Sequence, residues 1–241
     1  VSMLLLVNNF KVEIKWICKY ENFVIHLKQS IHFMLSGGLN VLYQYLPMLL
    51  VGTLASEYQI GIFSAPYKIV ISISYIFSVA PIALYPVFCN LFYTHWDKFC
   101  SLYRIYRNVS IVVATIIILF NLLYSHTIIF FLLGPNYEQS VLIFQILAYY
   151  LAIGAIRRVY AIVIAATGLQ KFYTYVSTIA VIAFMLVYIA FSCFSNVTHE
   201  LSAGYTLVVT ECVAFVVLMF FWRLSHAGTE QRIEVLGRKT N

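Results

Sequence analysis

The chain has 241 residues, of which 62% are hydrophobic and only 10% charged, with a mean hydropathy of +0.88 and a formal net charge of +6. That leaves too little polar surface to cover a soluble globule of this size. The positive charge would elsewhere suggest a nucleic-acid partner, but here the basic residues fall in gaps between apolar runs, a membrane pattern that excludes nucleic acid as the expected partner.

In chain order, Val1–Val7 is a short apolar stub with no basic region before it and no cleavage site after it, so it is not read as a signal peptide. It resembles the last turns of a transmembrane helix truncated at its start. Residues 8–29 follow as a polar, basic, cytoplasmic amphipathic segment. Six apolar stretches then occupy 30–55, 61–90, 109–133, 141–166, 172–195 and 200–222. Each reaches the roughly 20 residues that cross a hydrocarbon core at about 1.5 Å per residue. Residues 224–241 form a tail.

The gaps alternate in charge. Lys11, Lys15, Lys19, Lys28, Lys98, Arg104, Arg107, Lys171, Arg223, Arg232, Arg238 and Lys239 all lie in one set of gaps and the tail. The other set, short turns at 56–60, 134–140 and 196–199, holds no Lys or Arg; its acids are Glu57 and Glu138, with Glu200 at the outer edge of the last stretch. Cytoplasmic loops collect Lys and Arg, so both ends of this segment are expected in the cytoplasm and the acidic turns outside. The expected fold is all-α, a polytopic membrane bundle of six transmembrane helices spanning 30–223.

Within the gaps, Leu91–Asn108 places Phe92, Trp96, Phe99, Leu102, Tyr103 and Tyr106 near one helical stripe, with charges largely off it. This predicts an amphipathic helix, either in the headgroup plane or packed on the ends of the spans. Pro47, Pro66, Pro81 and Pro86 all fall in or beside the first two spans, with Gly37–Gly38 in the first. Each proline removes a backbone donor and crowds the preceding turn, which suggests a bent hairpin facing a cavity. Cys18, Cys89, Cys100, Cys193 and Cys212 show no metal or disulfide spacing and are read as packing residues. The glycosylation patterns at Asn108 and Asn196 are cytoplasmic or too close to the membrane to be modified sites.

Charge inside a span costs at least ~2.5 kcal/mol on insertion scales, so each case needs a reason. Lys68 sits about two turns inside the outer end of the second span, where it either snorkels to headgroups or marks the mouth of a substrate path. Arg157 and Arg158 lie roughly 13 Å short of the inner end of the fourth span. Adjacent helix positions diverge by ~100°, so one is expected to snorkel inward and the other to point into the bundle. A guanidinium fork pairs with phosphate or carboxylate oxygens, which favours an anionic headgroup. Glu211 is the one acidic residue inside a span. It either pairs internally with Arg157 or Arg158, or couples transport to an ion gradient. Asn40, Tyr43 and Gln44 share a face of the first span and suit either sugar hydroxyls or helix–helix contacts, with His32, Tyr45, Asn121 and Gln145 as further polar groups. There is no Gly-rich phosphate loop, metal spacing or catalytic constellation, so the sequence suggests neither an enzyme nor a bound cofactor.

Three local patterns are familiar. Gly61-Ile-Phe-Ser-Ala-Pro-Tyr-Lys68, followed by Ala80-Pro-Ile-Ala-Leu-Tyr-Pro86, resembles a helix pair of the polysaccharide flippases. Leu133-Gly-Pro-Asn-Tyr137 through Ser140 resembles the family's turn between the third and fourth spans, and Thr167-Gly-Leu-Gln-Lys171 its turn between the fourth and fifth. In this order they resemble the C-terminal half of lipid-linked oligosaccharide flippases, particularly O-antigen and capsule repeat-unit translocases of the multidrug/oligosaccharidyl-lipid/polysaccharide exporter superfamily. The resemblance implies the second lobe of a two-lobed exporter in a bacterial inner membrane. Its implied cargo is an undecaprenyl-diphosphate-linked oligosaccharide, with membrane lipids, a polysaccharide polymerase and a chain-length regulator as partners. Substrate contacts are then expected from Arg157, Arg158, Lys68, Asn40, Tyr43 and Gln44. A cation-coupled multidrug exporter of the same superfamily and a membrane glycan polymerase are the alternatives.

Overall fold

The computed structural model describes residues 20–168, 170–194 and 198–237. Among them the regular structure is helical throughout: α1 Tyr20–Leu54, α2 Glu57–Thr94, α3 Trp96–Leu133, a 3₁₀ turn Pro135–Tyr137, α4 Ser140–Ala166, α5 Gln170–Phe194 and α6 His199–Gly237. The helices α2 to α6 each contain a stretch long and apolar enough to cross a membrane. With the 35-residue α1, they form the expected polytopic bundle. The stub Val1–Val7, most of the segment 8–29 and the last residues of the tail lie outside the described residues.

α4 is the centre. In its apolar stretch 61% of residues are buried, against 11% for α2 and 17% for α3, because it packs against α2, α3 and α6. A helix that is apolar all round belongs in that position. Small buried residues along it, Ala148, Ala152, Gly154 and Ala155, let neighbouring backbones come close, which is how helices associate where lipid supplies no hydrophobic drive. Short polar links fix the contacts: Ser140 Oγ donates to the Ile62 carbonyl at 2.8 Å, Gln145 to Ser125 Oγ at 2.8 Å, and Asn121 to the Phe144 carbonyl at 3.3 Å. Asn121 and Gln145 are therefore helix-to-helix contacts.

Local chemistry sets the ends. Ser56 caps α2: its hydroxyl accepts from the Gln59 amide while the Gln59 side chain accepts from the Ser56 amide. This reciprocal Ser-x-x-Gln pair starts α2 at Glu57, so the expected turn at 56–60 shrinks to Ala55–Ser56. Gly134 closes α3 at φ +87°, a left-handed backbone that costs an L-residue roughly 1–2 kcal/mol. Gly168 does the same after α4 at φ +77°. Both glycines belong to the motif turns read in the sequence.

Pro47, Pro66, Pro81 and Pro86 lie inside α1 and α2, which run on through them. One expectation narrows here. Leu91–Asn108 is not one amphipathic helix. It is split at His95 (φ −148°, ψ 85°), where α2 ends and α3 begins. Its stripe packs onto the spans: Phe99 is fully buried, stacks on Trp96 with centroids 5.2 Å apart and meets Phe88 edge-on at 5.5 Å, and Tyr103 lies 5.3 Å from Trp222. An aromatic cluster holds this end of α2, α3 and α6 together, which rules out a helix lying free in the headgroup plane.

The cap yields a test. Ser56→Ala removes one reciprocal bond and should destabilise the α1–α2 turn by about 0.5–2 kcal/mol. Hydrogen exchange at the Gln59 amide should quicken while amides in α4 stay unchanged.

Candidate functional site

Inside the bundle one deeply buried acid meets two half-buried bases. Glu211 on α6 is 1% exposed. Arg157 on α4 donates through Nε to Glu211 Oε1 at 2.5 Å. The other carboxylate oxygen accepts from the Tyr43 hydroxyl at 3.3 Å, and that hydroxyl lies 2.9 Å from Thr210 Oγ1. Thr210 in turn donates to the Thr206 carbonyl at 2.7 Å. α1, α4 and α6 are thus joined at one carboxylate, and the pairing anticipated for Glu211 is made with Arg157.

Gly154 makes room for this arrangement. It lies one turn before Arg158 on α4, and a Cβ there would sit 3.1 Å from Glu211 Oε1 and 3.7 Å from Arg158 Nη1. Only a residue without a side chain leaves the carboxylate undisplaced.

Arg158 points the other way. Its Nη2 donates to Ser74 Oγ of α2 at 3.2 Å, and its Nη1 is buried without a hydrogen-bond partner among the described residues. The expectation that one of the two arginines snorkels to the surface is not met: both line one cavity of about 420 Å³. Their divergence around the helix gives them different partners instead. Arg157 and Glu211 neutralise each other, and Arg158 is left with a neutral hydroxyl. The site carries one surplus positive charge.

Neutral polar and aromatic groups form the remaining wall. α1 contributes Gly37, Asn40, Tyr43 and Gln44; α2 contributes Ser74, Tyr75 and Ser78; Tyr150 and Ala161 of α4 and Tyr173 of α5 complete it. Several bond one another: the Tyr173 hydroxyl donates to Asn40 Oδ1 at 3.5 Å and Gln44 to Tyr75 at 3.0 Å, while Asn40 also donates to Ser177 Oγ at 3.2 Å. The Tyr67 hydroxyl, just beyond, donates to the Gln44 carbonyl. Five of the six residues expected to contact substrate therefore gather at one cavity. The sixth, Lys68, is exposed on α2 and does not line it.

Ser74, Tyr75, Ser78, Tyr150 and Tyr173 went unread in the sequence. Ser74 and Ser78 were legible as hydroxyls at i and i+4 in an otherwise apolar stretch, which places them on one face. Tyr150 and Tyr173 carried no signal, since tyrosines occur throughout the chain, 19 in all. Among the described residues no set of His, Cys, Asp and Glu side chains gathers to hold a metal.

Residues 1–92 match the family model described as polysaccharide biosynthesis protein. This agrees with the resemblance drawn from the motifs and supports a role in polysaccharide synthesis or export. The matched segment includes the α1 and α2 walls of the cavity, whereas Arg157, Arg158 and Glu211 lie beyond it. No curated protein and no solved structure matches the chain.

Two variants probe the charge arrangement. Glu211→Gln strands Arg157 in the bundle, and removing one partner of a buried pair costs roughly 3–5 kcal/mol. Thermal unfolding in detergent should show that loss, with much of it regained in Arg157→Met/Glu211→Met. Gly154→Ala should push the carboxylate by a few tenths of an ångström; against the ~1 kcal/mol that Ala gains over Gly in a helix, the crowded pair should still leave a net loss of about 1 kcal/mol, which the same melts report.

Proposed function

We propose that the chain supplies the cargo-binding lobe of a flippase that moves undecaprenyl-diphosphate-linked oligosaccharide repeat units across a bacterial inner membrane for O-antigen or capsule assembly. The observation that carries this reading is the charge imbalance: two guanidinium groups stand beside one carboxylate, which pairs with Arg157 alone, at a cavity walled by neutral hydroxyls, amides and phenols. A lone buried cation is costly in a membrane, and an anionic headgroup cancels that cost when it enters. A diphosphate meets Arg158 first, because Arg157 is already held by Glu211. Arg158 can then turn part of its fork from Ser74 to phosphate oxygens, a charge-assisted pairing stronger than a bond to a hydroxyl.

The glycan suits the wall beyond the arginines. Asn40, Gln44 and Ser78 offer donors and acceptors, and Tyr75 and Tyr173 add aromatic surface, the combination that sugar hydroxyls and ring faces need. The end of the bundle bearing Lys98, Arg104 and Arg107 faces the cytoplasm in this reading, and the end with Glu57, Glu138 and Glu200 faces outward. Pro66, Pro81 and Pro86 put weak points along α2, the wall that carries Ser74 and Ser78, so this helix is where the cavity can change shape. Movement of cargo requires the two openings of the cavity to differ in stability when loaded and empty. A polymerase and a chain-length regulator would use the units delivered outside. The cation-coupled drug exporter is less well supported, because it needs Glu211 free to exchange a cation and Arg157 occupies it.

Export of lipid-linked repeat units, followed in cells as surface polysaccharide or in vesicles as flipping, should fall at least about tenfold in Arg158→Ala, since a charged hydrogen bond is worth roughly 1.5–3 kcal/mol. Arg158→Lys should recover only part, having lost the planar fork. Lys68→Gln, outside the cavity, should stay within about twofold of the wild type. Unimpaired export by a stably folded Arg158→Ala protein would overturn the proposal.

A further inference from the structure

The polar cavity does not end at Arg158. A second hollow of about 430 Å³ adjoins it, sharing Ser78, Arg158, Ala161 and Tyr173. Beyond those shared residues its walls are mostly apolar: Pro81, Ile82 and the ring of Tyr85 of α2 against Ile162 and Ala165 of α4.

The helical register makes this a graded channel. On α4, Arg158, Ala161, Ile162 and Ala165 stand at i, i+3, i+4 and i+7, one face of one helix. On α2, Ser74, Ser78, Pro81, Ile82 and Tyr85 follow the same rule. Along both faces, polar groups give way to apolar ones in the direction of the aromatic cluster at His95. The seven steps from Arg158 to Ala165 cover about 10 Å. Small side chains at 161 and 165 leave the channel floor low, and Ile82 is 74% exposed on its rim. The groove is therefore open along its side.

We infer that this groove seats the hydrocarbon chain of the lipid whose phosphate lies on Arg158, so that cargo is recognised as an amphiphile, phosphate and chain together. The inference rests on the anion-binding reading of the cavity above. Three features select a lipid chain as the occupant. The groove is continuous with the cationic cavity, so a single molecule can fill both. Its polarity changes from cationic to apolar in the order in which a lipid phosphate passes into its chain. Arg158 stands at the junction, with no carboxylate partner among the described residues. A free sugar phosphate would leave the groove unfilled. A neutral lipid would leave Arg158 uncompensated. The side opening lets the chain remain partly in the bilayer while the headgroup is enclosed.

The experiment measures binding to the full chain in detergent, with geranylgeranyl diphosphate and inorganic diphosphate as paired probes. The wild type should bind the lipid probe more tightly. Ala165→Trp fills the groove floor, and Ile82→Trp crosses its rim from an exposed position that tolerates size. Each should weaken geranylgeranyl diphosphate by about threefold or more, a loss of fit in the groove, since the probe's chain is already out of water in the micelle. Inorganic diphosphate should change by less than about twofold. Equal affinity of the wild type for both probes, or indifference of the lipid probe to both tryptophans, overturns the groove and leaves the anion site standing. If inorganic diphosphate does not bind, or binds without regard to Arg158→Ala, the anion site itself fails and this inference with it. As a second measurement, a geranylgeranyl diphosphate with a photoreactive tail should label the segments 78–85 and 158–165. Labelling elsewhere, or protein–protein cross-links from Ile82→Cys in place of labelling, assigns the groove to another occupant and overturns the inference.

Discussion

Two guanidinium groups and one carboxylate are buried side by side in the middle of this bundle, and the remaining features of the cavity follow from that inequality. Charges at membrane depth have to be compensated, because neither water nor lipid does it for them. Arg157 is compensated within the chain by Glu211, supported by Tyr43 and Thr210. Arg158 is not. Had the bundle needed only a bolt between α4 and α6, one arginine would have sufficed, and a leucine at 158 would pack at no electrostatic cost. The adjacent pair makes sense as a division of labour in which one arginine fixes the site and the other is available to a ligand.

The fixed pair also explains why α4 is so closely packed. A salt bridge in a low-dielectric setting is favourable only when its geometry is good and its remaining lone pairs are satisfied. That demands a carboxylate held to within a few tenths of an ångström, which in turn demands the missing side chain at Gly154. The small residues along α4 bring its backbone close to its neighbours, and the hydroxyls of α6 and α1 complete the shell around Glu211. Packing and charge are not separable here. The tight interface is what makes the ion pair tolerable, and the ion pair sets the register of α4 against α6.

The sequence made the transmembrane architecture legible because length and apolarity decide it, with few competing effects. Glu211, Arg157 and Arg158 stood out for the same reason: any charge in such a run is anomalous. Side-chain direction was less legible. A 100° difference between neighbours shows that two arginines diverge, but not that both directions open on the same cavity, which depends on how α1, α2 and α5 close the space that α4 faces. Lys68 illustrates the limit, since it is as anomalous in the sequence as Arg158 yet lies on the outside of α2. Leu91–Asn108 was legible only as a choice between a headgroup-plane helix and one packed on the spans, and the second holds, broken at His95. Its aromatic stripe was real, but a stripe identifies a buried face and not what buries it. The neighbours turned out to be Phe88 and Trp222, which no local pattern links to Phe99.

The placement of polar and apolar surface along α2 carries a consequence for selectivity. A cavity with surplus positive charge attracts any small anion, and the cell holds many soluble phosphates at concentrations far above that of a scarce lipid intermediate. Charge alone therefore discriminates poorly, since each competitor offers the same oxygens to the same guanidinium. An apolar extension changes the comparison, because a soluble anion gains nothing from it while an amphiphile adds about 0.8 kcal/mol for every methylene removed from water. A lipid starting in the bilayer gains less, its chain being already out of water, so the groove's benefit to true cargo lies in orientation more than in affinity. In the proposed reading it would hold the chain so that the phosphate arrives at Arg158 and the glycan beyond it, at Asn40 and Gln44. On that view the walls of α2 and α4 act as a ruler, and the order of residues along them, hydroxyl, guanidinium, then aliphatic, matches the order of groups in the molecule they receive.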